Sequence, residues 1–181
     1  CQLAKGPELI RRRKANVAHL EKRLVGLPGL TMPAVGDGNE HVYYVHAITY
    51  DPVEMELPRA VFLDALKSEL PATELREEEG PLMGAGYVRP IYLEPMFQER
   101  TAYGALGCPF VCPHYTGEIN YDQGLCPETE KAHFETLLTH EMMRPPMTTT
   151  DLDDVANAVQ KVVENLPALR DYAARTGANM G

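Results

Sequence analysis

Apolar residues fall at Leu3, Ile10, Val17 and Leu24, one every seven positions, and Leu20 and Leu27 add a second row beside them. That spacing draws a single apolar stripe along a helix. Pro7 is tolerated only in a first turn, and Gly26 with Pro28-Gly29 ends the pattern, so a long helix is predicted over about residues 7–25. The heptad stops there, which excludes a long coiled coil. His41 to Tyr50 is dense in β-branched and aromatic residues and apolar on both alternating faces, the pattern of a central strand closed by Asp51-Pro52. Pro58 then opens a helix with Val61, Phe62, Ala65, Leu66 and Leu70 on one face, giving a strand–helix unit over about 41–70.

Glu74 to Gly86 is polar and reads as an exposed connection. A short helix with Ala132, Leu137 and Leu138 inward is expected later in the chain. The final helix, over about 150–166, opens on Thr150-Asp151 and buries Leu152, Val155, Ala156, Val159, Val162, Val163 and Leu166, with Pro167 as its stop. Strand and helix alternating around one strong central strand imply an α/β (α+β) fold, a small antiparallel or mixed sheet flanked by helices.

Between these elements lies a tract with little periodicity, about residues 86–126, and such tracts are commonly functional. Its sharpest part is Tyr87-Val88-Arg89-Pro90-Ile91-Tyr92-Leu93-Glu94-Pro95-Met96-Phe97. The two prolines push Arg89 and Glu94 into extended conformations and forbid a continuous helix or a central strand. The segment nonetheless carries rings and apolar surface. It reads as a stiff pocket wall or as a loop covering a core.

Composition narrows the function. The 181 residues carry 17 basic and 26 acidic side chains, a net charge of −9. A nucleic-acid footprint would need a basic face, and the one basic run, Arg11-Arg12-Arg13-Lys14, sits on the first helix. No apolar run approaches the roughly 18 residues that span a bilayer, and no segment resembles a signal peptide. The four cysteines, Cys1, Cys108, Cys112 and Cys126, are too sparse for a disulfide scaffold and are expected as free thiols in a reducing cytoplasm. A chain that opens on Cys1 is expected to be a piece of a longer one.

The candidate chemistry is incomplete. Cys108, Cys112, His114 and Cys126 offer zinc a ligand set, but without the usual paired spacing, so small buried thiols compete with that reading. The only serine is Ser68, outside any nucleophile motif, and His140-Glu141 lacks the second histidine of a zincin. Dinucleotide and phosphate-loop glycine patterns are missing. His41 and His46 fall on opposite faces of the predicted strand and are assigned structural roles. No complete catalytic set is present.

The order of features nonetheless resembles a known family. Arg12-Arg13-Lys14-Ala15-Asn16 leads to Leu27-Pro28-Gly29-Leu30 and Pro33. His41-Val42-Tyr43-Tyr44 follows, then Arg59 with Phe62 and Leu66, then Tyr87 with Pro90-Ile91-Tyr92-Leu93-Glu94-Pro95. Cys126-Pro127-Glu128-Thr129-Glu130 and the capped last helix complete the series. In this order, over roughly residues 2–166, the chain resembles the C-terminal small domain of the DegT/DnrJ/EryC1/StrS family of sugar aminotransferases.

The resemblance implies the C-terminal domain of a fold-type I, pyridoxal-phosphate (PLP)-dependent enzyme. Such enzymes move an amino group from glutamate or glutamine to a nucleotide-linked keto sugar or a cyclitol. It implies a single C-terminal domain over 1–181, with the PLP-binding domain and its Schiff-base lysine outside it. None of Lys5, Lys14, Lys22, Lys67, Lys131 and Lys161 lies in the family's lysine motif, so no catalytic, cofactor or metal residue is expected here. The family's small domain shapes the substrate site, often across a homodimer interface, which implies substrate contacts at Tyr87, Arg89, Tyr92 and Gln98. Many members carry histidine where this chain has Tyr92. A tyrosine can donate to a phosphate or a sugar hydroxyl but cannot serve as a base at neutral pH. The competing expectations are a standalone non-catalytic sugar-binding or interaction domain and the zinc-stabilised module. With the large domain missing, the stripe on the first helix is expected to drive self-association.

Overall fold

The computed structural model describes residues 2–72, 80–105, 107–111 and 113–177. The chain divides into two compact units, one formed by residues 1–85 and 135–181, the other by residues 86–134.

The first unit holds the sheet and the long helices. Helix α1 (Gly6–Leu24) carries Pro7 in its first turn, where a missing N–H costs nothing, and buries Asn16, Val17, Leu20 and Leu24. The predicted stripe is therefore covered only in its C-terminal half. Val17 and Leu24 pack inside this chain, whereas Leu3 is 86% exposed and Ile10 lies at the surface. This removes half of the apolar surface on which self-association was expected.

Four antiparallel strands form the sheet in the order β1-β2-β4-β3: β1 (Leu30–Thr31), β2 (His46–Tyr50), β3 (Met83–Gly84) and β4 (Leu137–His140). β2 is interior, paired on one side with β1 and on the other with β4. Its side chains alternate, and His46, Ile48 and Tyr50 are buried. The registers set His46 opposite His140 and Ile48 opposite Leu138, so the core-facing residues of the two strands match. β2 starts five residues later than its composition suggests. Tyr43 takes a φ of 51°, and its N–H donates to His41 Nδ1 at 2.9 Å, which breaks the extended run before it can join the ladder. Leu137 and Leu138, expected on a short helix, lie on β4. The helix before them, α5 (Pro127–Lys131), widens into a π-turn over Ala132–Thr136 and ends.

Helices α2 (Pro52–Met55), α3 (Arg59–Ser68), α6 (Thr149–Glu164) and α7 (Leu166–Thr176) complete this unit. α1 packs along α6, and α3 packs on α6 and α7. The core joins Leu20, Leu24, Ile48, Tyr50, Phe62, Leu66, Leu138, Leu152, Val155 and Val159, all buried. Asn16, the one polar residue of α1 to be buried, donates to the carbonyls of Met143 at 3.0 Å and Met147 at 2.8 Å. It thereby fixes the chain that leads into α6. The cap of α6 is Thr148, two residues before the expected start. Its N–H donates to the Asp151 carboxylate at 2.7 Å, and its hydroxyl accepts from the Asp151 N–H at 3.5 Å, a reciprocal capping box. Pro167 is no simple stop. It occupies the first turn of α7, which Asn165 separates from α6.

The second unit has little regular structure: a 3₁₀ turn at Ile91–Leu93, α4 (Pro95–Gln98) and α5. Phe97, Phe110 and Tyr121 hold it together, with ring centroids 5.3 to 6.1 Å apart.

Candidate functional site

All four residues expected at the substrate site belong to the second unit, and the structure divides them into two kinds. Tyr92 is 7% exposed. Its hydroxyl donates to the carboxylate of Glu130 on α5. Burial first, and the Glu130 hydrogen bond second, push the Tyr92 phenol up to about 12, while the same bond holds the Glu130 carboxyl below the usual range. Glu130 also accepts from the N–H of Gly124 at 2.6 Å. Gln98, at the end of α4, donates its amide to the carbonyls of Tyr92 and Tyr121, each at 2.7 Å. Tyr92 and Gln98 are thus bound into the frame of the unit.

Tyr87 and Arg89 face outward. Tyr87 is 73% exposed, and the Arg89 side chain is half-exposed with Nε 4.0 Å from Glu94 Oε1. Val88, Ile91 and Met96 are also exposed, so the segment does present an apolar surface. Pro95 acts as expected on the residue before it. Glu94 is extended, at φ −65° and ψ 146°. The two prolines do not keep the run extended throughout, because Pro90 and Pro95 stand at the N-terminal ends of two short turns, where proline is compatible with helical geometry. Sequence reasoning missed Glu130 and Tyr121, which fix Tyr92 and Gln98 in place; both lie far along the chain, and no local spacing announces them.

Among the described residues the cysteine cluster does not assemble a zinc centre. Cys108 is disulfide-bonded, so it is neither a free thiol nor a thiolate ligand. Cys112 lies outside the described residues. His114 is exposed and Cys126 is a free, half-buried thiol. Among the described residues no group of three His, Cys, Asp or Glu is placed to hold a metal ion.

The lysines do not fit an aldimine-forming cofactor. None of the six is buried; Lys14 pairs with Glu40, and Lys161 pairs with Glu69 at 2.6 Å. A Schiff-base lysine needs a sheltered amine and a carboxylate to hold the pyridine nitrogen protonated. No such pair is present among the described residues.

A buried polar chain lies in the first unit. His46 Nε2 is 3.0 Å from Glu21 Oε1 on α1, and His46 Nδ1 is 2.7 Å from His140 Nε2. The rings meet edge to face with centroids 4.8 Å apart. His46 is 0% and His140 1% exposed, and His140 Nδ1 has no hydrogen-bond partner. Burial lowers the pKa of His46 against the pull of Glu21. It takes His140, which also feels His46, down to about 3.

No family model and no curated protein matches the chain by sequence. Solved structures do match it in fold. S. venezuelae DesV, solved in complex with a ketimine intermediate, superposes with a TM-score of 0.59 at 20% identity, over 90% of this chain and 34% of that one. DesI, solved in the presence of its TDP-sugar product, gives 0.59 at 18% identity, over 96% and 35%. A DegT DnrJ EryC1 StrS aminotransferase from Brucella abortus gives 0.53 at 17% identity, over 88% and 32%. The chain spans about a third of the length of these solved chains. At such identities the likeness is one of fold. The mixed helix-and-sheet architecture with a small antiparallel sheet, and its resemblance to aminotransferase structures, agree with the reading of the sequence. Among the described residues no helix is long and apolar enough to cross a membrane.

Proposed function

We propose that this chain is the C-terminal part of a cytoplasmic, PLP-dependent aminotransferase that moves an amino group from glutamate or glutamine to a nucleotide-linked keto sugar or a cyclitol. The observation that carries this reading is the fold, shared over about nine-tenths of the chain with structures whose own descriptions name a sugar product, a ketimine and an aminotransferase. In this reading the 181 residues shape the substrate site and a homodimer surface and do no chemistry alone. The lysines support that division, since none of them is sheltered enough to carry the cofactor. Tyr87 and Arg89 supply the ligand-facing groups, a ring for a sugar face and a guanidinium for a phosphate or hydroxyl. Tyr92 and Gln98 act one layer behind, holding the segment in shape through Glu130 and Tyr121.

The test uses the complete polypeptide to which these residues belong. It is expected to show an aldimine absorption band that borohydride abolishes, and to transfer ¹⁵N from labelled glutamate or glutamine to a keto sugar nucleotide or a keto cyclitol. The 181-residue chain by itself is expected to show neither. A borohydride-sensitive band in the isolated chain, or a complete polypeptide that binds the sugar without amino transfer, overturns the reading; the second result favours a non-catalytic sugar-binding domain.

A further inference from the structure

We propose that Glu21, His46 and His140 form a proton-sensitive tie between α1 and the centre of the sheet, which breaks when both imidazoles are protonated. The three side chains come from three elements, α1, β2 and β4, and the register that sets His46 opposite His140 places the rings on the buried face.

The geometry admits one arrangement of protons. Glu21, as a carboxylate, only accepts, so the hydrogen of His46 sits on Nε2. His46 Nδ1 then presents a lone pair, and His140 must donate to it from Nε2. This leaves His140 Nδ1 as a buried lone pair with no donor. An incoming proton has that single vacant position. Taking it breaks no bond, since the hydrogen between the rings can shift to His46 Nδ1, but it puts a charge on two rings that are 0% and 1% exposed, with the Glu21 carboxylate as its counter-charge. A second proton has to displace the hydrogen bond between the rings, turning a donor–acceptor contact of 2.7 Å into two opposed N–H groups.

Among the neighbours that act on the two rings, Glu21 alone favours this charge. Glu21 comes from α1. The segment before β2 brings His41, whose charge disfavours protonation of His46, and Tyr43, whose ring lies 5.8 Å from that of His46. β3 sets only Met83 and Gly84 against His140 and its neighbour Thr139. Glu141, next along the chain, is paired with Arg144 at 2.5 Å.

The direction follows from linkage. Both histidines have folded-state pKa values below their unfolded value of about 6.5, so the unfolded chain takes up protons first. Their contribution to stability is complete above about pH 6.5 and is lost as pH falls from there toward the folded values. Each histidine lowers the folded-to-unfolded ratio by up to about tenfold per pH unit, and the pair by up to about a hundredfold. Mild acid therefore loosens α1 from β2 and β4.

Two measurements on the 181-residue chain test this. In ¹⁵N-resolved imidazole spectra His46 and His140 are expected in the Nε2–H tautomer at pH 8, and are expected to begin titrating only below the pH at which an unfolded-chain histidine does. In denaturant titrations at pH 7.5, 6.5 and 5.5 the wild type is expected to lose stability as pH falls, with a proton dependence that grows toward, and does not exceed, about two at pH 5.5. His140→Gln keeps an amide donor for His46 Nδ1 but does not titrate, and is expected to lower that dependence by up to about one. Folded-state titration of either ring near pH 6.5, or wild-type stability that is flat across the range, overturns the proposal. Should His140→Gln fail to fold, the tautomer and titration spectra of the wild type decide by themselves.

Discussion

The hydroxyl of Tyr92 donates to the carboxylate of Glu130, 38 residues further along the chain. That bond, with the Gln98 amide bridging the carbonyls of Tyr92 and Tyr121, closes an otherwise irregular tract into a unit. Tyr92→Phe keeps the ring and removes only the donor. It is expected to speed amide hydrogen exchange in residues 86–134 while exchange in α1 and α6 stays as it was. Equal exchange in the variant and the parent would mean that the bond does not hold the unit.

The same bond predicts an alkaline transition. The Tyr92 phenol is held up to about 12, against about 10 in an unfolded chain. An acid whose folded pKa is raised adds stability that is full below pH 10 and is lost as pH rises from 10 toward 12. Burial also raises Tyr50 and Tyr43, so tyrosinate absorbance at 295 nm is expected to show several late phenols, with one fewer in Tyr92→Phe.

Tyr87 and Arg89 carry the proposed ligand contacts and sit outside the Tyr92 frame. In the complete polypeptide, on the proposed function, Tyr87→Ala and Arg89→Ala are each expected to raise KM for the sugar substrate roughly tenfold, the loss of one good polar or ring contact. A KM unaltered in both variants places the substrate elsewhere.

Gly29 cannot be replaced cheaply. Its φ is 61°, and a Cβ there would stand 2.6 Å from Met55 Cγ, in a side chain that is itself fully buried. Gly29→Ala is expected to cost about 1–3 kcal/mol through the left-handed backbone alone, with the Met55 contact adding to it. Chemical denaturation reads this as a lower midpoint at constant slope.

Asn16→Leu leaves the carbonyls of Met143 and Met147 without their donor inside the α1–α6 contact. The expected cost is about 2–3 kcal/mol, as for buried acceptors stripped of a partner. A loss below about 0.5 kcal/mol would show that other donors replace it.

The chain's own order of apolar residues was enough to determine the long helices. α3 and α6 bury most of the residues that their periodicity marks, and α1 those of its C-terminal half, because a 3.6-residue repeat of apolar side chains is stable as the covered face of a helix. The strand at His46–Tyr50 was legible for the same reason at period two. Its first five residues were not, since Tyr43's left-handed backbone and the His41 acceptor override β propensity locally. Leu137 and Leu138 were misread because a short apolar pair fits a helix or a strand equally well, and only Ile48 across the sheet selects the strand. The proline-rich segment declared itself by composition, yet its division into outward Tyr87 and Arg89 and inward Tyr92 and Gln98 depends on Glu130 and Tyr121, tens of residues away. The buried pair of histidines is the clearest case. His46 alone reads as a structural residue of a strand and His140 as half of an incomplete zincin motif, and only the antiparallel register brings His46 Nδ1 to 2.7 Å from His140 Nε2 and leaves one lone pair without a donor. Periodicity is a property of neighbours in sequence, whereas the protonation state of a buried group is set by whatever the tertiary fold packs against it.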